Sequence, residues 1–384
     1  MDPMQRLRAW TRHRQRLGHD AAEPLEALRS VAGVYSAHPS APLALLARSA
    51  GLTRAQFGDL ERRRLAVRLP AMRGSVFLVP LEMAPRILAA TRISSGRLAT
   101  RLRALGLDER TYERLRPRVL AAAGEPIAPA DLRRIRGDGA GARRPSTSLD
   151  RRASPQNEPA VVALRMLARE GLVLRVGWDD HVRTDRMRWV ATEAWLGRGF
   201  EDIDPDVALA WLAGRYLEAF GPARTEDFGW WSGVPLRRAR SAVGTLATAD
   251  VGDGLLLPEP LADAYASVEP IPPDAVDVLP KWDPYTMGHA PDGRRRLVDD
   301  EHLVLAYSTP STKVGATTGD GLPLILVGGR AVATWSHRLE RARMTVSVTS
   351  FAGARLPSRR ALEAAFKPSA SLMEATIAVE IAPG

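Results

Sequence analysis

The stretch from Leu25 to Pro80 constrains the fold more than any other part of the chain, because its apolar period changes in a fixed order. Leu25, Leu28 and Val31 recur at helical spacing and stop near Gly33. Leu43, Leu46 and Ala47 form a second apolar face ending at Gly51, a residue suited to a left-handed helix cap. Thr53 reads as the N-cap of a third helix that turns Phe57 and Leu60 inward. The period then drops to two in LAVRLPAM and SVFLVP, with Arg73-Gly74 as the turn between them. Helix, turn, helix, hairpin is the order of a winged helix, whose second helix enters the DNA major groove while the hairpin lies against the backbone or minor groove.

A looser version of the same unit follows. IAPADLRRIRG opens a helix after Pro129, and NEPAVVALRMLAREG predicts an amphipathic helix begun by Glu158-Pro159 and closed by Gly171. RVGWDDHVRTDRMRWVAT reads as its hairpin. Between them GDGAGARRPSTSLDRRASPQN has no apolar period and reads as an arginine-rich loop over 137–157 that tracks phosphates, or as a disordered linker without a role of its own. A third unit begins at DPDVALAWLAGRYLEAFG, with Ala208, Trp211, Leu212, Tyr216 and Leu217 on one face. It continues through a Ser232-Gly233 turn into a helix carrying Arg237, Arg238 and Arg240, and GLLLPEPLADAY supplies a short hairpin. Its surroundings are acidic, so a structural role is expected. After Ile271 the pattern becomes strand-like, in DAVDVLP, PLILVGG, RAVATWSH and RMTVSVTSF, then a helix in ALEAAFKPSASLMEAT and a closing strand in IAVEIA. The expected fold is α+β, three tandem winged helices (1–95, 96–200 and 201–270) followed by a small β-rich domain over 271–384.

Charge distinguishes the two halves. Residues 1–120 hold 22 Lys+Arg against 10 Asp+Glu, a net +12, whereas residues 201–384 hold 18 against 24, a net −6. Such an asymmetry suits a chain whose first half meets a polyanion. Arg54 heads the recognition helix, Arg62, Arg63 and Arg64 close it, and Arg68 and Arg73 punctuate the wing. With Arg143 and Arg144 of the long loop, these are the candidate DNA contacts. An alternative for Arg62–Arg64 is stabilisation of a helix C-terminus through its dipole.

Several chemistries drop out. The chain has no cysteine, which excludes disulfides, thiolate catalysis and cysteine-ligated zinc. Its seven histidines are scattered without metal-ligand spacing, no P-loop, dinucleotide fingerprint or nucleophile elbow occurs, and no cofactor is expected. No apolar run is long enough to span a bilayer, and the basic N-terminus lacks the apolar core of a signal peptide, so a cytoplasmic, monomeric protein is expected. Two segments remain dense in functional residue types. One is GVYSAHPSAP, where Tyr35 and His38 sit in a tight connection; there Tyr35 packs and His38 caps, or both do chemistry. The other is LPKWDPYTMGHAPDGRRRLVDDEH over 279–302, read as a contact-making loop or an interdomain clasp.

These segments, taken in order with AMRGSVFLVP, FGWWSGVP and RAVATW, resemble the AlkZ/YcaQ-like winged-helix family over nearly the whole chain. That family includes bacterial DNA glycosylases that release bulky alkylated bases and unhook interstrand crosslinks. The resemblance implies three tandem winged helices with a C-terminal β-domain and double-stranded DNA as partner. It also implies a catalytic Gln–apolar–Gln or Gln–apolar–Asp triplet two residues ahead of a proline. Aligned on Pro39, the triplet falls on Tyr35, Ser36 and Ala37, and both polar positions depart. The Ala37 side chain cannot hold a water or stabilise a developing oxocarbenium charge. Tyr35 could donate or accept a hydrogen bond, and His38 beside it could act as a base. Three functions follow: a DNA-binding member without the family's standard chemistry, a divergent glycosylase working through Tyr35 and His38, and a transcription regulator.

Overall fold

The computed structural model describes residues 1–18, 23–36, 39–93, 95–135, 158–177, 182–183, 186–308 and 319–382. Ala37, His38, Arg143 and Arg144 lie outside the described residues, as does the 137–157 loop.

The first unit forms as the sequence predicts. Helices Pro24–Ser30, Ala41–Leu46 and Arg54–Arg62 precede a hairpin of β2 (Ala66–Pro70) and β3 (Val76–Pro80); β1 (Val34–Tyr35) lies beyond β3. Thr53 and Gln56 make a reciprocal capping box, Thr53 Oγ1 accepting from the Gln56 backbone at 3.2 Å and Gln56 Oε1 accepting from the Thr53 backbone at 2.9 Å. Helices Ala84–Thr91, Ser95–Ala104 and Glu109–Ala122 then lead into the second unit. There Pro129–Arg134 is a 3-10 turn rather than the expected α-helix. Helix Pro159–Arg169, β4 (Val173–Gly177) and β5 (Met187–Ala191) follow as read.

The hairpins of the two units are not separate wings. They join edge to edge in one antiparallel sheet of order β1-β3-β2-β4-β5, through a β2–β4 pairing that sets Arg68 opposite Arg175. Strand alternation divides the sheet into two faces. Tyr35, Phe77, Leu69, Val67, Leu174 and Val190 share one face, which packs against helices Ala84–Thr91 and Pro205–Phe220. Val34, Leu78, Arg68, Arg175 and Trp189 share the other.

Helices Pro205–Phe220, Thr225–Ser232 and Leu236–Val243 and a short hairpin of β6 (Thr248–Asp250) and β7 (Leu256–Pro258) make the third segment. The C-terminal sheet contains β8 (Val276–Leu279), β9 (Leu324–Val327), β10 (Arg330–Glu340), β11 (Arg343–Ser350) and β12 (Thr376–Ala382), in order β12-β11-β10-β9-β8. β12 runs parallel to β11, reached through helix Arg359–Leu372. A parallel return needs a crossover, and this helix supplies it.

The basic first half is partly neutralised by the acidic second half inside the molecule. Helix Pro3–Arg14 docks its Arg12 on Asp277 through two bonds of 2.7 and 2.9 Å. Arg48 meets Asp283 through two more, at 2.7 and 2.8 Å, with both side chains 0% exposed. Gln15 Oε1 and the Ala44 carbonyl accept from the same guanidinium, satisfying charges that burial would otherwise penalise heavily. Among the described residues no helix is long and apolar enough to cross a membrane.

Candidate active site

Tyr35 owes its position to Gly33. At φ +107°, with Val79 Cγ1 and the Leu78 carbonyl within 2.8 Å of where a Cβ would stand, only glycine lets the chain lie this close to the hairpin. β1 then pairs in the register Val34–Leu78 and Tyr35–Phe77, aiming the phenol away from the first unit's helices. Its ring meets Phe77 edge-on at 5.9 Å and Trp282 at 4.6 Å.

Trp282 has φ 58°, an uncommon conformation for a bulky residue, and its backbone N–H donates to the Gly321 carbonyl at 3.2 Å. Its indole N–H donates to Asp320 Oδ1 at 2.9 Å, and Lys281 Nζ stands 4.1 Å from the ring centroid. The carboxylate of Asp320 is therefore fixed beside the Tyr35 ring by a residue 38 positions earlier in the chain.

Arginines close the other side. Arg73, at the hairpin turn with φ 53°, lays its guanidinium 4.1 Å from the Trp230 centroid. Arg294, buried, lies 5.4 Å from Trp230 and 4.0 Å from Tyr307. Burial weakens the Arg73 guanidinium's hold on its proton and Arg294's charge adds to that, while Tyr35 and Asp320 oppose both. Arg73 keeps solvent access while its guanidinium rests on the Trp230 ring. The Tyr35 phenol is pushed up by burial and by Asp320, and pulled down by Arg175 and Arg73. It stays neutral at physiological pH, able to donate or accept a hydrogen bond. The cleft thus offers aromatic walls, a neutral phenol, a fixed carboxylate and several cations.

Of the candidate DNA contacts, Arg62, Arg63 and Arg64 are exposed at the end of their helix. Arg62 also holds Asp59 at 2.9 Å, and Arg64 leans on the Trp195 ring at 5.3 Å. Arg54 pairs with Glu374 of the C-terminal domain at 2.9 Å. Arg68 points inward instead: it is 3% exposed and ion-paired with Glu61. Its wing position suggested phosphate contact, but β2 is a central strand of the shared sheet, so Arg68 is covered from the β4 side. In the third segment, Arg238 and Arg240 pair with Asp206 and Glu226 at 2.7 and 3.0 Å.

Asp320 gave no signal in sequence, standing alone in a glycine-rich stretch. Lys281, Trp282 and Arg294 lay within a segment notable for its composition and Trp230 within FGWWSGVP, which carries part of the family resemblance, but nothing in the residues joined those segments to Tyr35. Among the described residues no cluster of three or more His, Asp or Glu could hold a metal.

No curated protein matches the sequence at a significant level. The structure is similar to that of the Streptomyces sahachiroi DNA glycosylase AlkZ, with a TM-score of 0.75 over 98% of this chain and 99% of that one, at 20% identity. That likeness establishes the fold. The family model described as DNA glycosylase AlkZ-like matches residues 28–371. Because that match takes in most of the sequence, the chain belongs to the AlkZ-like DNA glycosylase family.

Proposed function

We propose that this protein binds duplex DNA as a monomer, in the cytoplasm, and hydrolyses the N-glycosidic bond of alkylated purines with Asp320 in place of the missing polar triplet. The observation that carries the reading is the carboxylate of Asp320 held by the Trp282 indole beside Tyr35, in a cleft lined by cations. A cationic N3- or N7-alkylpurine is already a good leaving group. Its C1′–N bond breaks with both electrons going to the base, leaving an oxocarbenium-like sugar. A carboxylate at that centre stabilises the positive charge and orients water; the water oxygen bonds to C1′ and its proton passes to the carboxylate. The rings of Tyr35 and Trp282 suit a planar cationic base, since a cation over an aromatic face is attracted by its quadrupole. Arg73 would hold the flanking phosphate, and Arg62, Arg63 and Arg64 the duplex beyond it.

The test is release of alkylated purines from duplex DNA treated with a bulky alkylator, alongside binding to the same duplex. Removing a general base typically costs about 10²–10⁴ in rate. Asp320→Asn is expected to lose base release on that scale while binding stays within about two-fold. Wild-type release unchanged in Asp320→Asn sinks the assignment of Asp320. No release by wild type, with salt-sensitive binding intact, supports the second reading, a DNA-binding member without glycosylase chemistry, for which the departed triplet speaks. Tight binding confined to a palindromic sequence would instead identify a regulator.

A further inference from the structure

The sheet that carries Tyr35 on one face has a cavity against the other. It is about 600 Å³ and lies between the first hairpin and the second unit. Strand alternation makes the separation definite. Pro70, Val76, Arg175 and Trp189 belong to the face opposite Tyr35 and Phe77, although the charge of Arg175 still reaches the Tyr35 phenol.

Its walls have a mixed character. Helix Pro159–Arg169 turns Val161, Arg165 and Arg169 toward it, residues four apart and so on one helical face. Arg101 comes from helix Ser95–Ala104 and Arg175 from β4, where its guanidinium stacks 5.3 Å from the Trp189 ring. Among the described residues, those lining the cavity include four arginines and no carboxylate. Arg169 has lost part of its basicity, to burial first and to the charge of Arg101 second. It also donates to the Gly74 carbonyl at 3.1 Å. Gly74 has φ +69°, and a Cβ there would come 2.4 Å from Arg169 Nη1, so the hairpin turn and the second unit are locked together at the cavity's rim. The remaining lining is apolar and partly flat: Val76, Met166, Met187 and Trp189.

We infer that this cavity is a nucleotide-binding site, seating one base against the Trp189–Met187 wall and its phosphate among Arg101, Arg165 and Arg169. A duplex is far too wide to enter, whereas about 600 Å³ is in the range of small-ligand sites. A guanidinium cluster recognises phosphate through paired N–H donors, and the apolar wall recognises the π-face of a base. The bound nucleotide is either free or an unpaired residue of a DNA strand; the phosphate-plus-base chemistry is the same. Apart from Arg175, whose charge reaches the Tyr35 phenol, nothing among the described residues of its lining acts in the Tyr35–Asp320 cleft.

The test is equilibrium binding of deoxyadenosine monophosphate, deoxyadenosine, inorganic phosphate and short duplexes with or without a 5′-phosphorylated single-nucleotide overhang. It compares full-length wild type, Arg101→Gln, Arg165→Gln and Asp320→Asn. The monophosphate is expected to bind at least about ten-fold tighter than either deoxyadenosine or phosphate alone. Each arginine variant should weaken it about ten-fold or more, roughly the loss of one charge-assisted hydrogen bond. Asp320→Asn should bind it as wild type does. If the monophosphate fails but the overhang duplex binds more tightly than the blunt one, and does so through the same arginines, the source is a DNA strand. Binding that Arg101→Gln and Arg165→Gln leave intact overturns the proposal. So does phosphate binding as well as the monophosphate, or an absence of binding by both the monophosphate and the overhang duplex. Arg101 is exposed, so its variant should melt with wild type and its binding result will not be confused with misfolding.

Discussion

Helix Arg54–Arg62 and the β2–β3 hairpin that follows it are both rich in arginine, yet the tertiary structure gives their charges opposite surroundings. Arg62, Arg63 and Arg64 stand in solvent at the helix end. Arg68, in the hairpin, is buried against Glu61 of the overlying helix, and Arg73 is drawn across the turn onto Trp230. A helix end at the surface leaves long side chains free to snorkel outward. A strand side chain stands on a face of the sheet, and the face carrying Arg68 is covered by helix Arg54–Arg62, whose Glu61 and Phe57 meet its guanidinium. Arginine density in sequence therefore marks two different things within twenty residues: a surface able to meet phosphate, and the internal electrostatics of a sheet.

The largest effect should come from breaking the hairpin's side of this contrast. Arg68→Met strands the Glu61 carboxylate in the interior, where removing one partner of a buried pair costs about 3–5 kcal/mol. Chemical denaturation should show that loss, and the Glu61→Gln/Arg68→Met double variant should recover most of it. An Arg68→Met protein as stable as wild type would mean the pair is not buried in solution.

Next in size is Gly33→Ala. It forces a side chain onto Val79 in a left-handed conformation, a strain of about 1–3 kcal/mol. Because Gly33 seats Tyr35, base release should fall more than thermal stability alone explains; a change in melting temperature with full base release would separate Gly33 from the site. Arg73→Ala comes third. A cation–π interaction with solvent access is worth about 0.5–1 kcal/mol, so the melting curve should move little while base release and DNA affinity fall together. Equal loss of stability in Arg73→Ala and Arg68→Met would erase the distinction between cleft and core.

The smallest stability effect belongs to the helix. Arg62→Ser/Arg63→Ser should leave the unfolding free energy within about 0.5 kcal/mol per substitution. It should nonetheless lower the slope of log affinity against log salt by about 0.9 for each phosphate that is no longer neutralised. An unchanged salt slope would move the duplex to another surface.

Local structure was legible wherever one segment specifies it. The N-cap at Thr53, the helix-ending glycines Gly51 and Gly171, the Ser232-Gly233 turn and the alternating strands of the last domain all stand where the residues place them. Pro129–Arg134 departed because a proline start and an acidic first turn favour a helical turn without supplying the length to extend it. For the candidate site, Tyr35 and the Lys281–Trp282 segment were visible as unusual compositions in connecting segments. Asp320 was not, since a single acidic residue among glycines looks like any turn.

By itself, then, the sequence determined the order of helices and hairpins, the β-rich end and the exclusion of thiol chemistry, because period, capping and residue type act over a few neighbouring positions; the departure of the triplet at Tyr35 and Ala37 was legible only through the family resemblance. Only the tertiary structure decided that two hairpins share one sheet, that Arg68 is interior while Arg63 is not, and that Asp320 reaches Tyr35 through the Trp282 indole. Those outcomes depend on contacts between residues tens to hundreds of positions apart, set by how separate apolar faces bury against one another and by which charges are enclosed when they do.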